Sequence, residues 1–189
     1  MASLAGCGKT ISIGDAASAP AVSSPSAEAA SGAGNTALQV VDKTAADAGL
    51  TGTGGTVVGA AVQEAPPKWV QLSAVTSQPF SASHLININQ AALYRFDGDN
   101  ADPKHSHCDD TCAAKWPPVT IEENGNVYLA GVDSKEVGAI RREDGQVQLT
   151  VGGAPVYRFA GDTKPGDLNG QGVDGKWFAV GPTGERVAG

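Results

Sequence analysis

The sequence predicts a mostly β protein, in which antiparallel hairpins form one small domain of two pseudo-repeated units behind a long disordered N-terminal tether. Three observations lead to this prediction. All ten aromatic residues lie at or after Trp69, so the first third of the chain has little with which to build a core. Short apolar runs alternate with Gly-rich turns from there onward. A six-residue motif also occurs twice, which indicates an internal duplication.

The duplicated motif is YRFDGD at residues 94–99 and YRFAGD at residues 157–162, and a Lys-Trp pair follows each copy. The two tyrosines are 157 − 94 = 63 positions apart and the two tryptophans 177 − 116 = 61, so the units stay in register. Residues at i and i+2 share one face of a strand, and an Asp suits the turn that follows. The motif therefore predicts core and turn positions at Tyr94, Phe96, Asp99, Trp116, Tyr157, Phe159, Asp162 and Trp177.

The N-terminal residues 1–7 contain a match to the bacterial lipobox, Leu4-Ala5-Gly6-Cys7. In that pattern the cysteine is lipidated and becomes the mature N-terminus. Only six residues precede Cys7, too few for a complete export signal. Either the match is accidental or the numbered chain begins late, and we favour the second interpretation, in which residues 1–6 are the remaining end of a truncated signal peptide. This predicts Cys7 as the lipidation site and a membrane as the partner of the N-terminus.

Residues 8–67 are rich in Ala, Gly, Ser, Thr, Val and Pro, and the folded domain is predicted at 68–189. Such a composition cannot bury enough apolar surface to offset the chain entropy, which favours a flexible tether. A coil of this length would reach about 40 to 45 Å. Within it, the spacing of Leu38, Val41 and Ala45 indicates a transient helix over 36–50.

Within the domain, the first motif is predicted on the second strand of a hairpin that turns at Asn89-Gln90. A second hairpin joins residues 140–143 to 147–151 through Asp144-Gly145, with a type I′ turn expected. Gly152-Gly153 then leads into a strand over 156–159. A last strand is predicted over 177–180.

The charge pattern excludes some functions. The net charge is −7 with no run of Lys or Arg that could neutralise a row of phosphates, so no nucleic-acid partner is expected. No stretch of about 18 to 20 apolar residues could span a bilayer. Sequence signatures of hydrolases and phosphate-binding loops are also lacking.

The segment 105–116 (HSHCDDTCAAKW) is the richest in reactive side chains. Cys108 and Cys112, four residues apart, lie within disulfide range on one helical turn, and a disulfide is the default in an exported protein. The alternatives are a copper or zinc site formed by His105, His107 and the two cysteines, or a catalytic dithiol. The spacing lacks the two intervening residues of a thioredoxin-type motif, so the disulfide is favoured.

The acidic turns allow two further hypotheses. Residues 97–99 begin like a calcium-binding loop, but later ligand positions do not match, so solvated turns are favoured. Asp99 and Asp162 could serve as an acid/base pair if the repeat brings them to one end of the domain.

The repeated Tyr-x-Phe-x-x-Asp motif, the Cys-x-x-x-Cys followed by AAKWPP at 108–118, and GDLNGQG at 166–172 resemble a family of predicted bacterial lipoproteins, also described as secreted repeats of unknown function. The resemblance covers about residues 84–184. It implies an exported protein, usually lipid-anchored on the extracytoplasmic side of the envelope, and no catalytic residues. His105 and His107 depart from the small or polar residues expected there.

These inferences predict a non-enzymatic lipoprotein of the cell envelope that binds a partner protein or a small ligand, without a cofactor. The alternative is metal handling or haem-related redox support at the cell surface, with copper or zinc held by the 105–112 segment.

Overall fold

The structure, a computed structural model, describes residues 1–2, 37–55, 65–101 and 104–189. The prediction of a mostly β fold is confirmed, since in these residues one short α-helix, α1 (Asp110–Lys115), accompanies ten strands. The strands are β1 (Leu38–Val41), β2 (Trp69–Val75), β3 (His84–Asn87), β4 (Tyr94–Phe96), β5 (Thr120–Ile121), β6 (Gly125–Ala130), β7 (Val137–Arg141), β8 (Val147–Val151), β9 (Ala154–Pro155) and β10 (Trp177–Ala179). None of the helices in the described segments is long and apolar enough to cross a bilayer.

One four-stranded sheet has the order β1-β6-β2-β3 and is partly parallel. Strand β6 pairs in parallel with both β1 and β2, and β3 runs antiparallel to β2. The sequence predicted hairpins alone, because parallel pairing joins segments too distant in the chain to leave a local pattern.

Strand β1 lies inside the segment that was predicted to be tether, so that prediction is wrong for residues 37–55. The predicted helix over 36–50 is also wrong. Leu38 and Val40 alternate toward the interior and are 7% and 4% exposed, as a half-buried strand requires. The amide of Ala45 donates to Oε1 of Gln71 at 2.8 Å, which ties the following turn to β2. The amino-acid composition predicted a flexible tether here because the residues that make these contacts have small aliphatic side chains and no aromatic rings.

The second hairpin is confirmed, with β7 and β8 antiparallel, and β5 and β9 also pair with β8. Its turn is not type I′, since Gly145 has a positive φ of 83° and Asp144 does not. The amide of Arg142 donates to the Gln146 carbonyl at 2.9 Å, which closes a three-residue loop with Gly145 in the left-handed region. The first predicted hairpin is also present, since the amide of Asn87 donates to the Ala91 carbonyl at 3.0 Å and that of Leu93 to the Leu85 carbonyl at 2.9 Å. Beyond Leu93, β4 pairs with β10.

The two repeats exchange backbone hydrogen bonds across a pseudo-twofold axis. Tyr94 and Tyr157 donate to each other's carbonyls, both at 2.9 Å. Leu85 donates to the carbonyl of Val180 at 2.9 Å, and its counterpart Leu149 donates to that of Val119 at 2.9 Å. The last strand of each repeat therefore pairs with strands of the other repeat, and the two halves are interlaced rather than stacked.

The core has two parts. An aliphatic cluster fills the space between the large sheet and the β7–β8 hairpin. A second cluster, which we call the aromatic cluster, lies at the axis and contains Tyr94, Tyr157, Trp116 and Trp177, with Phe96 and Phe159 packed against it. The predicted core positions of these six aromatic residues agree with this arrangement.

Candidate functional site

The tyrosine of each motif binds the aspartate of the other. The hydroxyl of Tyr94 donates to Oδ2 of Asp162 at 2.6 Å, and that of Tyr157 donates to Oδ2 of Asp99 at 2.6 Å. Both tyrosines are 0% exposed and both aspartates 2%. The prediction of a solvated turn is therefore wrong for Asp99, and Asp162 is internal as well.

Each buried carboxylate also accepts a bond from a backbone amide. Oδ1 of Asp99 accepts from His107 at 2.8 Å, and Oδ1 of Asp162 accepts from Asn169 at 2.9 Å. Burial raises the pKa of both carboxyls above the ordinary value, although these hydrogen bonds act in the opposite direction. Burial, together with the adjacent carboxylate, also raises the pKa of both tyrosine hydroxyls, which keeps them as donors.

Four rings form a continuous stack at the axis, in the order Phe96, Trp177, Trp116 and Phe159. The two indoles are parallel, with an interplanar angle of 2° and centroids 3.9 Å apart. Each indole packs on the phenylalanine of the other repeat: Trp177 stacks on Phe96 at a centroid distance of 4.4 Å, and Trp116 lies 4.3 Å from Phe159 with the ring planes tilted by 35°. The motif of each repeat thus gives its twin one phenyl ring, one hydroxyl donor and one carboxylate acceptor.

The glycine before each motif aspartate is required by this packing. A Cβ at Gly161 would lie 2.5 Å from Cε1 of Phe159, and one at Gly98 would overlap the ring of Phe96. The Tyr, Phe, Gly and Asp of the motif therefore each have a structural role. Neither aspartate is open to solvent as an acid/base pair would need to be.

The disulfide predicted between Cys108 and Cys112 is present, with a Cα–Cα distance of 5.1 Å. The loop that contains it is held by Arg142, whose side chain is 2% exposed. This guanidinium donates to the carbonyl of Cys108 at 2.9 Å, to Oδ1 of Asp109 at 2.6 Å and to Oγ of Ser106 at 2.7 Å. Ser106 in turn lies 2.9 Å from the hydroxyl of Tyr157, so the loop, the hairpin and the axis form one network.

The predicted metal site is not assembled in this oxidised form. The two sulfur atoms are joined to each other and are not thiolate ligands. Within 37–55, 65–101 and 104–189, no three or more His, Cys, Asp or Glu side chains converge in a way that could hold a metal ion. Copper or zinc binding by His105, His107 and the cysteines stays a prediction for the reduced protein, which native mass spectrometry would test. The predicted lipidation site, Cys7, lies outside the described residues.

A groove of about 420 Å³ lies beside the disulfide loop, between α1 and the β7–β8 turn. Pro117, Pro118 and Thr120 form its floor, and Ala113 and Ala114 of α1 form one wall. The other wall is the turn at residues 142–146. Sequence reasoning did not find this groove, because its walls come from segments about 30 residues apart whose pairing is set by the exchange between repeats.

The fold and this site define a class: a two-repeat β domain whose halves exchange strands, rings and hydrogen-bonded side chains. The model of a family described as a secreted repeat of unknown function matches the chain twice, at residues 83–120 and again at residues 138–181. The resemblance inferred from the sequence is thereby confirmed, and it indicates an exported protein. No protein of curated function and no solved structure matches the chain.

Proposed function

We propose that this protein is a non-enzymatic binding or accessory module of the bacterial cell envelope. One observation carries the proposal: the tyrosine hydroxyls and aspartate carboxylates of the repeated motif are buried and bonded to each other. Buried residues that bond to each other in this way stabilise the fold. Recognition of a partner would then depend on other residues, those that line grooves at the surface.

Site-specific photo-crosslinking in cells tests the binding role. A photoreactive residue at Gln146, in the groove, is expected to capture a partner of the envelope, whereas one at the exposed Lys135 is the matched control. Equal capture at both positions, or none at either, would contradict the proposal. So would a catalytic turnover that Asp162→Asn abolishes while the fold stays intact.

We further propose that a lipid on Cys7 holds the module at the extracytoplasmic face of the membrane. The lipobox match and the secreted repeat support this placement. The full precursor with Cys7→Ser is expected to leave the membrane fraction and to incorporate no labelled fatty acid. Retention of that variant in the membrane would exclude the anchor.

A further inference from the structure

The two repeats differ in how their last strand is covered. In the second repeat, the strand edge at residues 179–181 is covered by the C-terminal segment of the chain. The amide of Val187 donates to the carbonyl of Ala179 at 2.9 Å, and the amide of Gly181 donates to the carbonyl of Glu185 at 2.9 Å. Residues 185–187 thus add an antiparallel strand to this edge, with Val187 only 1% exposed.

The matching edge in the first repeat is Pro118–Thr120, since the Trp-to-Trp offset of 61 pairs Pro118 with Ala179 and Thr120 with Gly181. Val119 uses its carbonyl and amide to bind Leu149 and Val156, both at 2.9 Å. Because peptide groups alternate in direction along a strand, the carbonyl of Pro118 and the amide of Thr120 point away from β8. Both residues line the groove between α1 and the β7–β8 turn.

The surroundings of the two edges also correspond. The C-terminal segment packs against Phe80, in the turn between β2 and β3, and its Val187 carbonyl accepts from Nε2 of Gln171 at 2.9 Å. In the first repeat, the turn at residues 142–146 takes the place of the β2–β3 turn, and Asp110 stands at the position of Gln171. The groove in the first repeat therefore corresponds to the site in the second repeat that residues 185–187 occupy as an added strand.

We propose that this groove takes an extended basic segment of a partner protein, which adds to Pro118–Thr120 as an antiparallel strand. Strand addition to a free edge is a recurrent mode of peptide recognition, in which backbone bonds give affinity and flanking side chains give specificity. The inference rests on the proposed binding function and names the chemistry of the partner.

The charge of the walls selects a basic segment. Four carboxylates line the groove, those of Asp109, Asp110, Glu143 and Asp144, against the single guanidinium of Arg142. That guanidinium is already bound by Asp109 at 2.6 Å and approached by Asp144 at 3.4 Å. Lys or Arg side chains that alternate along an added strand would meet the remaining negative charge, whereas an acidic strand would be repelled.

The test is a binding titration of the full chain with a fluorescent five-residue peptide that alternates Lys and Val. Two comparison peptides carry Glu in place of Lys, or N-methylated backbone amides that cannot donate. We expect the basic peptide to bind, and both comparison peptides to bind at least about tenfold more weakly. Glu143→Lys should weaken the basic peptide about tenfold at low salt, and Glu122→Lys, an exposed glutamate that does not line the groove, should leave it unchanged.

Equal binding of the N-methylated peptide would overturn the proposal, because a charge contact alone would then suffice. The proposal would also be overturned if the basic peptide did not bind, or if Glu143→Lys and Glu122→Lys weakened its binding equally. A dimer of the chain that Glu143→Lys dissociates would assign the edge to a second copy instead. If photo-crosslinking at Gln146 captures a partner while the peptide does not bind, the binding function stands and strand addition fails.

Discussion

At the scale of single residues, we expect the exchanged tyrosine–aspartate pairs to contribute strongly to the stability of the fold. Tyr94→Phe leaves the Asp162 carboxylate buried without its hydroxyl donor, so we expect the free energy of unfolding to fall by about 1–3 kcal/mol. Urea denaturation measures the change. Tyr128→Phe is the matched control, because Tyr128 is also buried but packs edge-to-face on Trp69 away from both aspartates. Equal losses in the two variants would refute a special role for the exchanged pair.

The same carboxyls predict how stability depends on pH. Burial raises the pKa of Asp162 in the folded state above its ordinary value of 3.8, so between these two pKa values the folded protein binds more protons than the unfolded chain. Stability from this group is therefore greatest below the ordinary value and is lost as the pH rises through the raised one. Asp162→Asn should remove that decline. The check is the difference in unfolding free energy between wild type and variant across this pH window, and a constant difference would contradict the prediction.

At the scale of elements, the tight turn at the end of each motif depends on the absence of a side chain at its glycine. Gly161→Ala places a methyl group against the ring of Phe159, and over-packing of this kind costs about 1–3 kcal/mol. Thermal unfolding should show a lower midpoint for this variant. In a Phe159→Leu background, Gly161→Ala should lower the stability less than it does in the wild type, because the smaller side chain relieves the overlap. Additive costs would show that the glycine serves another purpose.

The sequence predicted elements well where they depend on local pattern and poorly where they depend on distant pairing. The β7–β8 hairpin, the disulfide and the six core aromatic residues follow from alternation, spacing and repetition. Strand β1 was missed because its partner β6 lies more than 80 residues away and its side chains are small. The bond from Tyr94 to Asp162 was missed because a turn aspartate normally faces solvent, and only the exchange between repeats buries it.

At the scale of the whole molecule, the exchange between repeats makes each half incomplete. Cleavage between residues 133 and 134, at an exposed turn, would separate the first repeat and the large sheet from the second repeat with β7–β10. The first fragment would lose the strand that pairs with β4, and the second would lose the β5 segment that pairs with β8. We expect neither fragment to fold alone, and an equimolar mixture to restore the fold.

The parallel stack of Trp116 on Trp177 joins the two fragments, so near-ultraviolet circular dichroism reports their assembly directly. The signal should appear only on mixing, and a second fragment with Trp177→Ala should fail to produce it. The disulfide lies within the first fragment, so mixing neither forms nor breaks it. If each half needs the strand, the aromatic ring and the carboxylate of its twin, the second fragment cannot form a packed core by itself. A folded spectrum from the second fragment alone would therefore show that the repeats are independent units.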